Sequence, residues 1–283
     1  MSKIRIVGDS TCDLSPELKE KYDIKVIPLC IVMDDVSHYD MVDITPDEIF
    51  EWADSNKTTP KTAATDIESA IEFLRPFKEA GEDVIYLGIS EDMSTTCNVL
   101  RLAKDELEYD RCFIVNSMNL STGIGLQILR AADMVAEGKT AEEIVEAISD
   151  ARTDVRASFV VDTLTYLSRG GRCSAATALL ANTLQLKPRI EVKMGKMGVG
   201  QKYRGKYNKV IMKYVKEMEE ELLRSDKKRV FVTHTRMDQE VVDEIKTYLE
   251  GLNYFDEVIE TVAGGVISSH CGPGTLGVLY YEK

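Results

Sequence analysis

Apolar positions along this chain follow two rhythms, and their interleaving predicts its architecture. Short β-branched runs at 4–7, 25–32, 84–89 and 112–115 alternate with stretches whose apolar residues recur at helical spacing. Helix starts are marked by Ser15-Pro16, by the capping box Thr45-Pro46-Asp47-Glu48, and by a second box at Thr65-Asp66-Ile67-Glu68. The last of these is expected to stop at Gly81, and further helices are expected over 94–109 and 121–138. Strands separated by helices of this length fold as βαβ units around a parallel sheet.

Beyond a capped helix beginning at Thr140 the rhythm changes. Strand patterns fall at 157–161, 188–193, 230–233, 258–262 and 277–281, with a Gly/Lys-rich hairpin over 194–203. Helical pieces fall at 163–168 and 175–184, and longer amphipathic helices at 208–224 and 239–252. Not every pair of neighbouring strands is separated by a helix, so this half reads as a mixed sheet. The expected fold is α/β: an N-terminal three-layer parallel-sheet domain, 1–153, followed by a C-terminal mixed-sheet α+β domain, 154–283.

Composition narrows the function classes. The chain has 283 residues, 44% of them hydrophobic and 29% charged, enough for a substantial core without metal or disulfide staples. Its 35 Lys and Arg against 48 Asp and Glu give a net charge of −13. That balance repels phosphate backbones and anionic membrane surfaces, so no nucleic-acid partner is expected. Neither a signal peptide nor an integral membrane segment stands out. Six cysteines without a C-x-x-C pair read as reduced packing thiols, and three dispersed histidines offer no metal site. A soluble, cytoplasmic, two-domain protein is the expectation.

Three of the N-terminal strands run into small hydroxyl residues. These are Ser10 within Asp9-Ser10-Thr11, Ser90 followed by Ser94-Thr95-Thr96, and Ser117 after Asn116. Ligands of open parallel sheets bind outside the carboxyl ends of the strands, where hydroxyls and helix amides hold anions. The same atoms cap helices, so capping and binding both remain open. In the second half, Gly272-Pro273-Gly274 is expected to form a turn that presents His270 at a strand edge. The literal G-x-G-x-x-G there lacks the helix and acidic residue of a dinucleotide site. Arg169-Gly170-Gly171-Arg172 and the stretch from Gln201 to Lys206, with Arg204, could bind phosphate or serve as solvated turns. Nucleotide, serine-hydrolase, zincin and EF-hand motifs are missing. A Cys–His nucleophile would need His270 with Cys97 or Cys271. Adjacent residues of a strand face opposite ways, and Cys97 sits on an apolar helix face.

Four segments in this order resemble the DegV family, bacterial fatty-acid-binding proteins that include the acyl-carrier subunits of two-component fatty acid kinases. Asp9-Ser10-Thr11-Cys12-Asp13-Leu14 is similar to the family's opening D-S-T-x-D-L. Leu167-Ser168-Arg169-Gly170-Gly171-Arg172 with Leu186-Lys187-Pro188 resembles its L-x-x-G-G-R and K-P block, and 270–274 its H-x-G-P-G ending. The resemblance implies a long-chain fatty acid held between the domains, its chain in an apolar tunnel and no cofactor beside it. It implies a carboxylate bound by Thr62, Ser94 and His270; Ser10, Thr96, Ser117 and Arg172 stay candidates from the strand ends and the basic turn. It also implies a separate ATP-dependent fatty acid kinase that phosphorylates the presented carboxylate, with Arg204 assisting that transfer. Two loops depart from the family pattern. Ala63-Ala64 replace Ser-Gln, and Glu91-Asp92 replace Ser-Gly, placing two carboxylates where a third should bind unless they turn to solvent. Against this stand two other readings: an enzyme acting directly on an acyl or phosphorylated small molecule with His270 as general base, and a purely regulatory role.

Overall fold

The computed structural model describes residues 3–180 and 186–283. Its first sheet is parallel, in the order β2-β1-β6-β7: β1 is Ile4–Asp9, β2 Lys25–Ile27, β6 Asp83–Gly88 and β7 Cys112–Asn116. Alternation along its strands sends successive residues to opposite layers. Val7, Val84 and Tyr86 meet α3 (Ile67–Glu79) and α4 (Thr96–Glu106), while Ile6, Ile85 and Leu87 meet α5 (Thr122–Ala136) and α6 (Ala141–Ala151). This is the expected three-layer arrangement. The helix expected from Thr65 is capped instead by Asp66, which accepts from the Ser69 amide and leaves the Thr65 hydroxyl buried without a partner.

A second, three-stranded sheet was not legible in the sequence. The apolar run at 25–32 is broken at Pro28, which has no amide to give a ladder, and the chain leaves the first sheet there. It continues as β3 (Cys30–Met33), turns at Asp34-Asp35, both left-handed, and returns as β4 (Val36–Tyr39). After α2 (Pro46–Asn56), the three-residue β5 (Lys61–Ala63) pairs with the other edge of β3.

The second half forms a six-stranded mixed sheet in the order β10-β9-β8-β13-β11-β12. Its members are β8 Val155–Val160, β9 Leu186–Lys193, β10 Lys196–Arg204, β11 Arg229–His234, β12 Glu257–Val262 and β13 Leu276–Tyr281. Only β11 and β12 run parallel. One face packs on α9 (Tyr207–Glu217) and α11 (Gln239–Gly251) through Val160, Val232 and Val278. The helix expected over 208–224 stops at Glu217, and α10 (Glu219–Leu222) follows. Glu219, Glu220 and Glu221 favour a helix start over a helix end, because the dipole is positive there. Two short helices, α7 (Thr165–Gly170) and α8 (Ser174–Leu180), connect β8 to β9; the expected continuation of α8 over 181–184 lies outside the described residues.

The other face of the six-stranded sheet shares a core with the first. Phe159, Phe231 and Leu279 belong to one buried cluster with Ile6, Leu87 and Ile124. Helix α5 lies between the sheets, in contact with β1 and β6 on one side and β8, β11 and β13 on the other. This explains a sequence, Gly-Ile-Gly-Leu-Gln-Ile-Leu, that is buried all round. Gly125 lets α5 approach the chain after β1: a Cβ there would lie 2.9 Å from Leu14 and 3.0 Å from the Cys12 carbonyl.

Candidate functional site

Three segments from distant parts of the chain converge on a cavity of about 450 Å³ between the sheets. The first is β5, whose backbone pairing with β3 sets Thr62 opposite Ile31. Thr62 therefore lies on a strand rather than in a loop. The second is the turn between β6 and α4. Its carbonyl at Ser90 accepts from the Met93 and Ser94 amides, and Ser94 Oγ accepts from the Thr96 amide at 3.3 Å. Ser94 stands one residue before Thr95, the N-cap of α4, and its hydroxyl holds the first helical amide while lining the cavity. The third is α12 (Gly265–Cys271), which carries His270 in its last turn. The expectation of a strand edge at His270 is overturned: 265–271 is helical, and Gly272 only then breaks the helix with a left-handed φ of 78°.

His270 Nε2 lies 2.7 Å from Thr62 Oγ1, a hydrogen bond spanning 208 positions of sequence. Nδ1 is buried without a partner, packed against Gly170 at the end of α7. A Cβ at position 170 would fall 2.2 Å from Nδ1, so only glycine admits the ring. Burial, and secondarily the Arg172 charge, push the imidazole down to about 4 from its ordinary 6.5. The ring is neutral at physiological pH. Arg172 follows Gly171, whose left-handed φ of 69° ends α7, and its guanidinium donates to the carbonyls of Gly170 and Met93. It places a positive charge at the rim, tied to the turn that carries Ser94. Most of the remaining wall is apolar, with Met93, Leu120, Met197 and Ile267 among its residues. No sequence signal marked these; methionine is unbranched and flexible, and fills irregular gaps in an apolar wall.

The two carboxylates of the departing loop lie at the rim of this cavity, exposed and each paired with a cation. Glu91 is exposed and paired with Arg101, and Asp92 is exposed 3.4 Å from Lys196. Other candidates stand apart from the cavity. Ser10 is buried and accepts from the Leu29 amide at 3.1 Å, and Ser117 accepts from the Asn119 amide at 3.1 Å. Thr96 sits behind Ser94, its hydroxyl 2.8 Å from Ser94 Oγ. Arg204 ends β10 at the surface, away from the cavity wall. The Cys–His pairing finds no geometry: His270 Nε2 is engaged by Thr62, and burial pushes the thiols of Cys97 and Cys271 up to about 12. Among the described residues, no group of three or more His, Cys, Asp or Glu is placed to hold a metal ion. None of their helices is long and apolar enough to cross a membrane.

The sequence profile of the DegV family of uncharacterised proteins matches residues 3–283. The chain belongs to the DegV family. A DegV domain-containing protein of Clostridium perfringens is 34% identical over 283 residues, covering all of both chains. A fatty-acid-binding DegV family protein from Thermus thermophilus superposes with a TM-score of 0.89 at 29% identity, covering 99% of this chain and 100% of its own. A stearic acid-binding protein from Eubacterium ventriosum gives 0.84 at 28% identity, covering 99% and 98%.

Proposed function

We propose that this DegV protein binds a long-chain fatty acid, with the carboxylate at Thr62, Ser94 and His270 and the chain running inward along Met93, Leu120 and Ile267. The observation that carries this reading is the Thr62–His270 pair, placed with Ser94 at one apolar-walled cavity. The fatty acids bound by structural neighbours at 28–29% identity support it. Each methylene buried contributes up to about 0.8 kcal/mol, so a long chain gains on the order of 10 kcal/mol before ordering costs. The polar residues then fix the head group. A buried Nδ1–H would lack an acceptor beside Gly170, so we assign the proton to Nε2, donating to Thr62 Oγ1. The Thr62 hydroxyl is then free to donate to a carboxylate, as is Ser94.

A carboxylate held this way is presented for phosphorylation by a partner ATP-dependent kinase, and Arg204, exposed at the end of β10, assists there. This assignment places the protein in the cytoplasm, where its six free cysteines stay reduced. Native mass spectrometry of the purified protein is expected to find a long-chain acid, and a stripped sample is expected to take up labelled oleate. A protein that is empty on purification and takes up neither oleate nor palmitate overturns the reading. Arg204→Ala is expected to leave oleate affinity unchanged and to slow acyl phosphate formation by the kinase; equal loss of both would merge the two roles.

A further inference from the structure

The opening motif Asp9-Ser10-Thr11-Cys12-Asp13 contributes no wall to the head-group end of the cavity, yet three buried carboxyl groups meet around it. Asp9, Asp13 and Asp40 are 0%, 5% and 1% exposed. Carboxyls buried this deeply are tolerated only with hydrogen-bond partners, so where those partners lie is informative. Asp9 Oδ2 accepts from Tyr86 Oη at 2.7 Å and from the Ile89 amide at 3.0 Å, the first residue of the turn that carries Ser94. Its other oxygen holds the Thr11 amide at 3.0 Å, which fixes the carboxyl's own position.

Asp13 reaches into the other half of the chain. Its Oδ1 accepts from the Gly264 amide at 2.8 Å, and Oδ2 from the Ser121 hydroxyl. Asp40 Oδ1 accepts from the next amide, Gly265, at 2.7 Å. These two amides open α12, and α12 delivers His270 six residues later. Glycine eases the approach: a Cβ at 265 would fall 2.7–2.9 Å from the side-chain ends of Ile49, Ile31 and Asp40. One end of α12 is therefore held by the carboxyl groups of residues 13 and 40, and the other by Thr62.

We infer that Asp9 and Asp13 are positioning residues: Asp9 sets the turn bearing Ser94, and Asp13, seconded by Asp40, sets the helix bearing His270. The motif is a hub that spaces the two arms of the head-group site without touching the ligand. This rests on the fatty-acid reading above and adds what holds the site together.

Oleate affinity measured in a double-mutant cycle tests it. Asp13→Ala is expected to weaken oleate binding about tenfold in the native chain and less than twofold in a His270→Ala background, while remaining additive with Ser94→Ala. Asp9→Ala is expected to show the opposite pattern. Asp13→Asn, which keeps an acceptor for the Gly264 amide, is expected to restore affinity. Should Asp13→Ala not fold, Ser121→Ala releases the same carboxyl and enters the cycle in its place. A loss from Asp13 that persists undiminished without His270, or that asparagine fails to rescue, overturns the hub. A native chain that binds no oleate at all sinks the fatty-acid reading instead.

Discussion

Gly170 shows how a single absent side chain can set a site. Read from sequence, Arg169-Gly170-Gly171-Arg172 is a basic turn that could bind phosphate or simply stand in solvent. In the fold its two glycines do different work: Gly171 supplies a left-handed φ, and Gly170 makes room for His270. That second role has no sequence signature, because the neighbour it accommodates lies 100 residues away. Gly170→Ala adds one methyl where Nδ1 now sits, so the ring must swing off Thr62 or α7 must retreat. Overpacking of this kind costs about 1–3 kcal/mol of stability, and the chain is expected to fold. Oleate affinity is expected to fall as far as in His270→Ala. Titration calorimetry that finds the alanine variant within twofold of the native protein would show that the ring position is not critical.

At the scale of elements, α12 carries opposing proton linkages that separate along the pH axis. The folded His270 has its pKa lowered to about 4, so the unfolded chain binds the extra proton between about pH 4 and 6.5. This contribution makes stability rise with pH across that window. Asp13 does the reverse: burial, and then the nearby Asp40 and Asp9 charges, push its carboxyl up to about 8 from 3.8. The folded state keeps a proton that the unfolded state has lost, so its contribution is complete below about pH 4 and gone by about pH 8. Asp40 and Asp9 shift the same way. From pH 6.5 to 8 the Asp13 slope is no longer opposed by His270, and the melting temperature is expected to fall. Asp13→Asn is expected to flatten that fall, and a slope unaltered by asparagine would assign it to other groups. Helices with caps were legible in the sequence, as Thr45 and Thr140 show by forming both halves of their capping boxes. Strand β5 and helix α12 were not. Three residues cannot display a period, and α12 is buried along nearly its whole length, so it lacks the polar stripe that marks a surface helix.

For the whole molecule, the sheet classes were legible from the spacing of strands and helices, whereas the seam between the halves was hidden because it is made of ordinary core residues. We propose that the division at 153/154 is one of architecture and not of independent folding. Helix α5 belongs to the first half by sequence, yet it packs on β8, β11 and β13, and its Thr122 hydroxyl lies 2.5 Å from that of Thr233. Arg229, 7% exposed, binds Asp133 of α5 with two nitrogens and Tyr22 with one. Separating the halves therefore uncovers apolar surface on both and breaks the Arg229–Asp133 pair, leaving Arg229 only Glu257 of its own half. Residues 1–153 expressed alone are expected to bind hydrophobic dye and to unfold without a cooperative transition. Co-expression with 154–283 is expected to restore a single melting step and oleate binding. A monomeric, dye-silent fragment 1–153 that melts cooperatively would show that the first half is a folding unit. The ligand site would then be assembled by docking of two finished domains.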